Sequence, residues 1–343
     1  MRKLTTTSIL AGAGVGVLAA ALLIAFGPRN IPLATDHTGD ERIAFYFADH
    51  AEKGHHQLAG FIYDNGEVTF GGLGADEHTE FEIGSVTKTF NAELVRQLIE
   101  EESLTLKTTV ADIIGSTGGE IDDVTVEELL NHTSGLKRLE SISWYELLLC
   151  DIRDGGNPYR RQSPQEILDA AGNAKLEGRG EENYSNYGHA LLGQLLAVHT
   201  GMEYEELLRT RIFEPAGMTQ TFLSTPGRAS ELRRGLWSSG SLIEPWVMDG
   251  WAPAGAIRST PHDMAKYVEW VAEHGRPEYT WGMLKPEDGD DADTTYPFHN
   301  GGTFGFSSML VWDPEDPHRA AYVSGDSFKT VDALGVGLLE VAR

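Results

Sequence analysis

Strand signals sit at the two ends of this chain and helix signals fill the space between them, an arrangement that narrows the available folds more than any other feature. Near the N-terminus, Leu58 to Tyr63 and Val68 to Phe70 read as strands joined at Asp64-Asn65-Gly66, a sequence that tolerates the positive φ of a tight hairpin. An amphipathic helix precedes them from about Asp40 to Gly54, with Ile43, Ala44, Phe47, Ala48 and Ala51 at helical spacing. Toward the C-terminus, Ala256 to Arg258, Gly305 to Trp312 and Ala320 to Ser324 read as short strands, and Pro261 to Glu273 and about Thr330 to Val341 as helices. Helical runs occupy the stretch between: the one following Ser85 through Leu94 and Leu98, Val126 to Leu130, Trp144 to Cys150, a capped start at Ser163-Pro164-Gln165-Glu166, Asn186 to Thr200, and Glu203 to Phe213. The expected fold is α/β of the α+β type. One mixed, mainly antiparallel sheet is built from both ends (about 40–84 and 250–343) and flanked by helices, with a helical subdomain (about 85–249) inserted. The groove between the two parts is the default site.

The N-terminus adds an address. Arg2 and Lys3 precede a charge-free run from Ser8 to Phe26, long enough to cross a bilayer as a helix, and Gly27-Pro28-Arg29 ends it. No Ala-x-Ala cleavage site follows, which favours an uncleaved anchor over a removed signal peptide. The expectation is a cytoplasmic tail (1–7), a span (8–26), a linker (27–39) and an external hydrolase domain (40–343). The acidic balance, 52 Asp and Glu against 27 Lys and Arg for a net charge of -25, argues against nucleic acid or anionic membrane surfaces as partners. Because the charge is spread along the chain, it fits a salt-adapted proteome or ordinary solubility; the Glu287 to Asp293 tract reads as a solvated loop. Cys150 is the single cysteine, so no internal disulfide exists, and its apolar helical run suggests a buried, inert thiol.

Chemistry concentrates at Phe81-Glu82-Ile83-Gly84-Ser85-Val86-Thr87-Lys88-Thr89-Phe90. Ser85 would open a helix, with Lys88 one turn along the same face and its amine within reach of the hydroxyl. A serine is a poor nucleophile until a neighbouring base takes its proton, and a desolvated lysine can be that base. Ser-x-x-Lys is common by chance, so the weight rests on its companions. Tyr184-Ser185-Asn186 stands just before a helix, where the phenol, its pKa depressed beside an ammonium, could relay protons. Tyr184 as an ordinary buried aromatic and Asn186 as a helix cap are the bland readings. His299-Asn300-Gly301-Gly302-Thr303 precedes an apparent strand, where glycines permit close approach of a ligand. His132 reads as structural, and His55 and His56 as a solvated helix end. The histidines have no metal-ligand spacing and no carboxylate pair suits glycosidase work, so no cofactor is expected.

In order and separation, Ser85-Val86-Thr87-Lys88, Tyr184-Ser185-Asn186 and His299-Asn300-Gly301 resemble the three motifs of the serine beta-lactamase and penicillin-binding protein superfamily. The Tyr-x-Asn form is similar to the branch of class C beta-lactamases, D-alanyl-D-alanine carboxypeptidases, D-aminopeptidases and related esterases. Further likeness lies in His132-Thr133-Ser134-Gly135-Leu136, Phe213-Glu214-Pro215-Ala216-Gly217-Met218 and Ala254-Gly255-Ala256, so that the resemblance covers roughly residues 40 to 343. It implies the beta-lactamase/penicillin-binding fold and a Ser85 nucleophile, with Lys88 and Tyr184 sharing the acid and base work. It further implies that Asn186 orients the lysine and the substrate, that His299, Asn300 and Gly301 form a docking edge, and that the N-H groups of Ser85 and Gly302 form an oxyanion hole.

The third motif carries His299 and Asn300 where many relatives have Lys followed by Thr or Ser. An imidazole is a weaker anion hook than an ammonium, which shifts the expected substrate from penicillins toward other acyl compounds. The sequence thus predicts an exported serine hydrolase cleaving an amide or ester of a small acyl compound or peptide. A D-amino-acid peptidase, a carboxypeptidase or a weak beta-lactamase is the alternative within the class. A non-catalytic scaffold or sensor is the alternative outside it, which a complete set of Ser85, Lys88, Tyr184 and Asn186 argues against.

Overall fold

The computed structural model describes residues 30–153, 156–285 and 294–341. Three strands come from the N-terminal end: His37–Gly39 (β1), Leu58–Asp64 (β2) and Glu67–Leu73 (β3). Asn65 and Gly66 close the β2-β3 hairpin with φ of 51° and 89°, as a two-residue turn of this hand requires. Phe81–Glu82 (β4), Phe222–Leu223 (β5) and Ile257–Ser259 (β6) make a small second sheet in the order β4-β6-β5. The C-terminal end contributes Gly282–Leu284 (β7), Tyr296–Gly302 (β8), Ser307–Trp312 (β9) and Arg319–Gly325 (β10).

The large sheet runs β1-β3-β2-β10-β9-β8-β7, so its centre is the joint between an N-terminal and a C-terminal strand. Every adjacent pair is antiparallel, so the sheet expected to be mainly antiparallel contains no parallel pair among the described residues. The C-terminal half is a meander, the N-terminal half is the β2-β3 hairpin with β1 added outside β3, and β10 returns beside β2 running against it. Side chains alternate between two cores. Leu58, Ile62, Met309, Val311, Ala321 and Val323 face one, while Phe61, Tyr63, Leu310, Trp312, Ala320 and Tyr322 face the other. A one-residue slip would turn each set to the wrong side, at about 1.5–3 kcal/mol for each large apolar side chain exposed.

Glu41–His50 (α1) covers the first face together with the C-terminal helix described below; it is capped by Asp40 Oδ1 at 2.8 Å from Arg42 N and buries Ile43, Ala44 and Phe47. It stops short of Gly54 because the chain turns there. His55 Nδ1 accepts from Glu52 N at 2.9 Å and its Nε2 meets Thr330 O at 2.9 Å, so His55 is a buried clamp between the chain ends. His56 is half-buried against Asp326 at 3.1 Å, so neither histidine belongs to a solvated helix end. The expected linker is also partly structural. Ala34 N donates to His56 O at 2.8 Å, and β1 forms the edge of the sheet.

Thr87–Glu100 (α2) leads into the helical region: Val110–Ile114 (α3), Val126–Leu130 (α4), Trp144–Arg153 (α5), Pro164–Ala171 (α6), Asn186–Thr200 (α7) and Tyr204–Leu208 (α8). Ser163 and Glu166 form the predicted capping box at α6. The predicted helix through Phe213 continues past α8 as a π-turn over Arg209–Phe213. Ala252–Gly255 (α9) and Pro261–His274 (α10) follow, and Asp332–Val341 (α11) packs beside α1. Cys150 is buried, with its thiol 3.1 Å from Leu147 O. The anchor expected at 8–26 and the Glu287 to Asp293 tract lie outside the described residues. Among the described residues, no helix is long and apolar enough to cross a membrane.

Candidate active site

Ser85 stands where β4 gives way to a tight turn, Gly84–Val86, that runs directly into α2. Gly84 takes φ of 51°, and a Cβ on it would lie 2.7 Å from the amide nitrogen of Gly302. Gly301 has no room either, because a Cβ there would collide with the carbonyl oxygen of Ile83. Ser308 Oγ, on the next strand, donates to that same carbonyl at 2.8 Å. Two glycines and one hydroxyl therefore press the end of β8 against the Ser85 turn, which brings Gly302 beside Ser85.

Lys88, one turn past Ser85 and the second residue of α2, is fully buried. Its Nζ is 2.9 Å from Ser85 Oγ and 2.6 Å from the carbonyl oxygen of Ala254. Burial, then the charge of Arg138, holds the amine well below the ordinary lysine range, which favours the free base. Tyr184 reaches the same serine oxygen, its hydroxyl donating at 2.7 Å. Its pKa is not depressed as the sequence suggested. Burial pushes it up to about 12, outweighing the Ser85 hydrogen bond and the Arg138 charge, so the phenol is a neutral donor.

His132 holds the Tyr184 loop from behind. It has a φ of 58°, its carbonyl accepts from Asn183 N at 2.8 Å, and its Nδ1 accepts from Ser185 N at 3.1 Å. The proton of the neutral ring is thereby left on Nε2. The ring packs 4.4 Å from that of Tyr184, and burial and then Lys88 push its pKa down to about 3, in keeping with a structural role.

Asn186 departs from expectation. Its Nδ2 donates to the Tyr159 hydroxyl at 2.8 Å rather than engaging Lys88, and its buried Oδ1 has no partner. Nor does it cap α7; Ser185 does, its Oγ accepting from Gly188 N at 2.9 Å. The third motif is itself strand β8 rather than the approach to one. His299 is buried on it, its Nδ1 2.8 Å from Asn300 O, with the pKa pushed down to about 3 by burial and then by Lys88. Asn300 is exposed and donates to Asp332 Oδ2 at 2.9 Å, and Gly302 is exposed with open space around it.

A narrow recess joins Ser85 to Arg138, Tyr159, Asn186, Trp246 and Gly302, and opens into a cleft of about 480 Å³ bounded by Tyr184, Asn300, Gly301 and Phe304. His299 faces a separate cavity of about 580 Å³ with His132, Thr133, Trp281 and Phe298. Among the described residues no group of three or more His, Cys, Asp or Glu is placed to hold a metal ion.

Sequence reasoning passed over Arg138, Tyr159 and Trp246, which line the recess, and Asn91, which supports it. Asn91 lies three residues beyond Lys88 on α2. Its Nδ2 donates to Pro253 O at 3.0 Å and to His189 Nδ1 at 3.2 Å, and its Oδ1 accepts from Tyr204 at 2.5 Å. The signal the sequence did hold was an amide side chain three residues past Lys88, on the same helix face, and the structure buries it fully.

A family model described as Beta-lactamase matches residues 47–336. Penicillin-binding protein 4 of Amycolatopsis lactamdurans is 27% identical over 236 residues, 64% of this chain and 57% of that protein. Penicillin-binding protein 4* of Bacillus subtilis (strain 168) is 32% identical over 145 residues, 41% of this chain and 30% of that protein. The chain thus spans less than two thirds of the length of these relatives. A class C beta lactamase from Rhodobacter sphaeroides superposes with a TM-score of 0.71 at 18% identity, covering 88% of this chain and 99% of that one. The D-amino acid amidase from Ochrobactrum anthropi SV3 does so at 0.67 and 21% identity, covering 88% and 96%. At these identities the structural likeness establishes the fold.

Proposed function

Since the chain belongs to the beta-lactamase family, we propose that it is a serine hydrolase that cleaves an amide or ester of a small acyl compound through an acyl-enzyme on Ser85. One observation carries the reading: Ser85 Oγ lies 2.9 Å from a buried, uncharged-favouring amine and 2.7 Å from a neutral phenol. The lone pair of Lys88 takes the serine proton as Oγ attacks the substrate carbonyl. The N-H groups of Ser85 and Gly302 receive the developing oxyanion, a contribution worth about 3 kcal/mol per donor. The tetrahedral intermediate then collapses by breaking the bond to the leaving nitrogen or oxygen. The proton gained by Lys88 returns to that atom by way of Tyr184, whose hydroxyl shares Ser85 Oγ with the lysine. Water attacks the ester of Ser85 in the reverse sense, gives one proton to Oγ, and releases the acid.

The third-motif strand carries no ammonium at His299, which is the reason to assay peptide-like and ester acyl donors before penicillins. A D-amino-acid amidase or carboxypeptidase activity falls within the same chemistry, and the fold likeness to the Ochrobactrum amidase is the reason to assay it. The charge-free run at 8–26 supports an exported, membrane-anchored form.

The test is the intact mass of the protein before and after a fluorophosphonate and, separately, a penicillin, with Ser85→Ala as control. A single fluorophosphonate adduct absent from the variant is the expected result. No adduct from either reagent, on protein shown to be folded, would overturn the hydrolase reading in favour of a non-catalytic scaffold.

A further inference from the structure

The strand that would supply a cation to this site supplies none. His299 is uncharged near neutrality, and Asn300 beside it is bound to the carboxylate of Asp332, which itself lines the cleft. An anionic substrate group would meet no attraction there.

A cation comes instead from the loop after α4. Arg138 lines both the recess beside Ser85 and the wider cleft. Its guanidinium lies 5.2 Å from the ring centroid of Tyr184, and its charge acts on Tyr184, on Lys88 and on the Tyr159 phenol. Several other basic residues of this acidic chain are ion-paired: Lys137 next door with Glu177 at 2.8 Å, Arg179 with Glu128 at 2.6 Å, Arg211 with Glu101 at 2.5 Å. Among the described residues no carboxylate is ion-paired with Arg138. A guanidinium presents a planar fork of donors that matches a carboxylate, and here it is engaged by the neutral Tyr159 phenol rather than by an acidic group, within the cleft that holds Ser85.

We propose that Arg138 is the specificity-determining residue of this site, pairing with a carboxylate on the substrate, so that the preferred substrate is an anionic acyl compound. The inference rests on the hydrolase reading and names its substrate class. The carboxylate can belong to the acyl part or to the leaving group. Arg138 shares the recess with Asn186 and Tyr159 on one side and stacks over the Tyr184 ring on the other.

Three esters separate these cases: neutral phenyl phenylacetate, 3-carboxyphenyl phenylacetate, and phenyl (4-carboxyphenyl)acetate. The shared arylacetyl group suits the aromatic wall of Tyr159, Trp246 and Phe304, whose rings lie 5.1 Å apart in succession. A meta carboxylate barely alters the acidity of the leaving phenol, so a rate difference reports binding. The Arg138 charge lowers the pKa of Lys88, so the comparison is made above the acid limb of each variant.

The full-length protein is expected to turn over one carboxylate ester about tenfold or more faster in kcat/KM than the neutral one. Arg138→Gln should abolish that preference by raising KM for the favoured carboxylate ester far more than for the neutral one, and Arg138→Lys should restore part of it. Equal turnover of all three esters by the unmodified protein, including none, would overturn the inference. So would an equal loss on all three in Arg138→Gln. Labelling of Ser85 by the fluorophosphonate distinguishes such a failure from that of the hydrolase reading, since a labelled Ser85 with no carboxylate preference sinks this inference alone.

Discussion

The amine of Lys88 lies closer to the carbonyl oxygen of Ala254, at 2.6 Å, than to the hydroxyl of Ser85, at 2.9 Å. A free amine has two hydrogens and one lone pair. With one hydrogen fixed on Ala254, the lone pair can be turned toward Ser85, so the position of that carbonyl sets the aim of the base. Ala254 follows Pro253, whose carbonyl is held by Asn91.

Replacing Asn91 should therefore disturb catalysis from a distance. Asn91→Ala orphans the Tyr204 hydroxyl and His189 Nδ1 and frees Pro253, at a cost of about 1–3 kcal/mol of stability. Chemical denaturation should register that loss. Steady-state kinetics should register a lower kcat, because the Ala254 carbonyl no longer fixes Lys88.

Tyr184→Phe removes a neutral hydrogen-bond donor and nothing else from a ring packed against His132. The expected outcome is a fall in kcat of about 10²-fold or more with KM little changed, and a smaller fall for esters with good leaving groups, which need less protonation. Equal losses on good and poor leaving groups would argue that the phenol does not serve the leaving atom.

Acid should inactivate and destabilise this protein for separate reasons. Activity should rise with pH as Lys88 gives up its proton, its folded pKa lying well below 10.5. His299→Gln should leave that limb in place, since His299 and His132 titrate at about 3. Stability follows those histidines. The unfolded chain binds their protons from about pH 6.5 downward and the folded one only near 3, so the urea midpoint should fall between those values. His132→Gln combined with His299→Gln should lessen the slope there, leaving the part due to buried His189, which burial also holds well below the ordinary histidine range.

Gly301 and Gly302 should respond oppositely to the same methyl group. Gly301→Ala drives a Cβ into the Ile83 carbonyl, pushing β8 away from the Ser85 turn, and should lower kcat/KM by about 10²-fold or more. Gly302→Ala meets open space and keeps its N-H, so activity should stay within a fewfold. Matched circular dichroism spectra would establish that both variants are folded.

Much of this site follows from local rules. Ser85 and Lys88 meet because three residues make almost one helical turn, and Tyr184 stands out because a helix start follows it. The Asn65-Gly66 hairpin and the Ser163 capping box follow equally local chemistry. What escaped depends on contacts across the chain. Asn186 turned to Tyr159, a partner in a different segment, and His55 gained its role from Thr330 at the far end. The Tyr184 pKa was misjudged in sign because proximity to a cation is visible in a motif whereas depth of burial is not. Short strands such as β1, β4, β5 and β7 lack enough residues for a period to register, whereas β6 was legible at Ala256 to Arg258.

The central pairing of β2 with β10 joins Leu58 to Gly325 and Asp64 to Arg319. A ribosome making this chain finishes β2 on the order of tens of seconds before β10 exists, at typical elongation rates of about 5–20 residues per second. Throughout that interval the inner edge of the β2-β3 hairpin has no neighbour, and Ser85 has no β8 to lean on. A product truncated before β8 should thus expose an unpaired strand edge and lack the assembled Ser85 site. The completed C-terminal meander is what assembles that site.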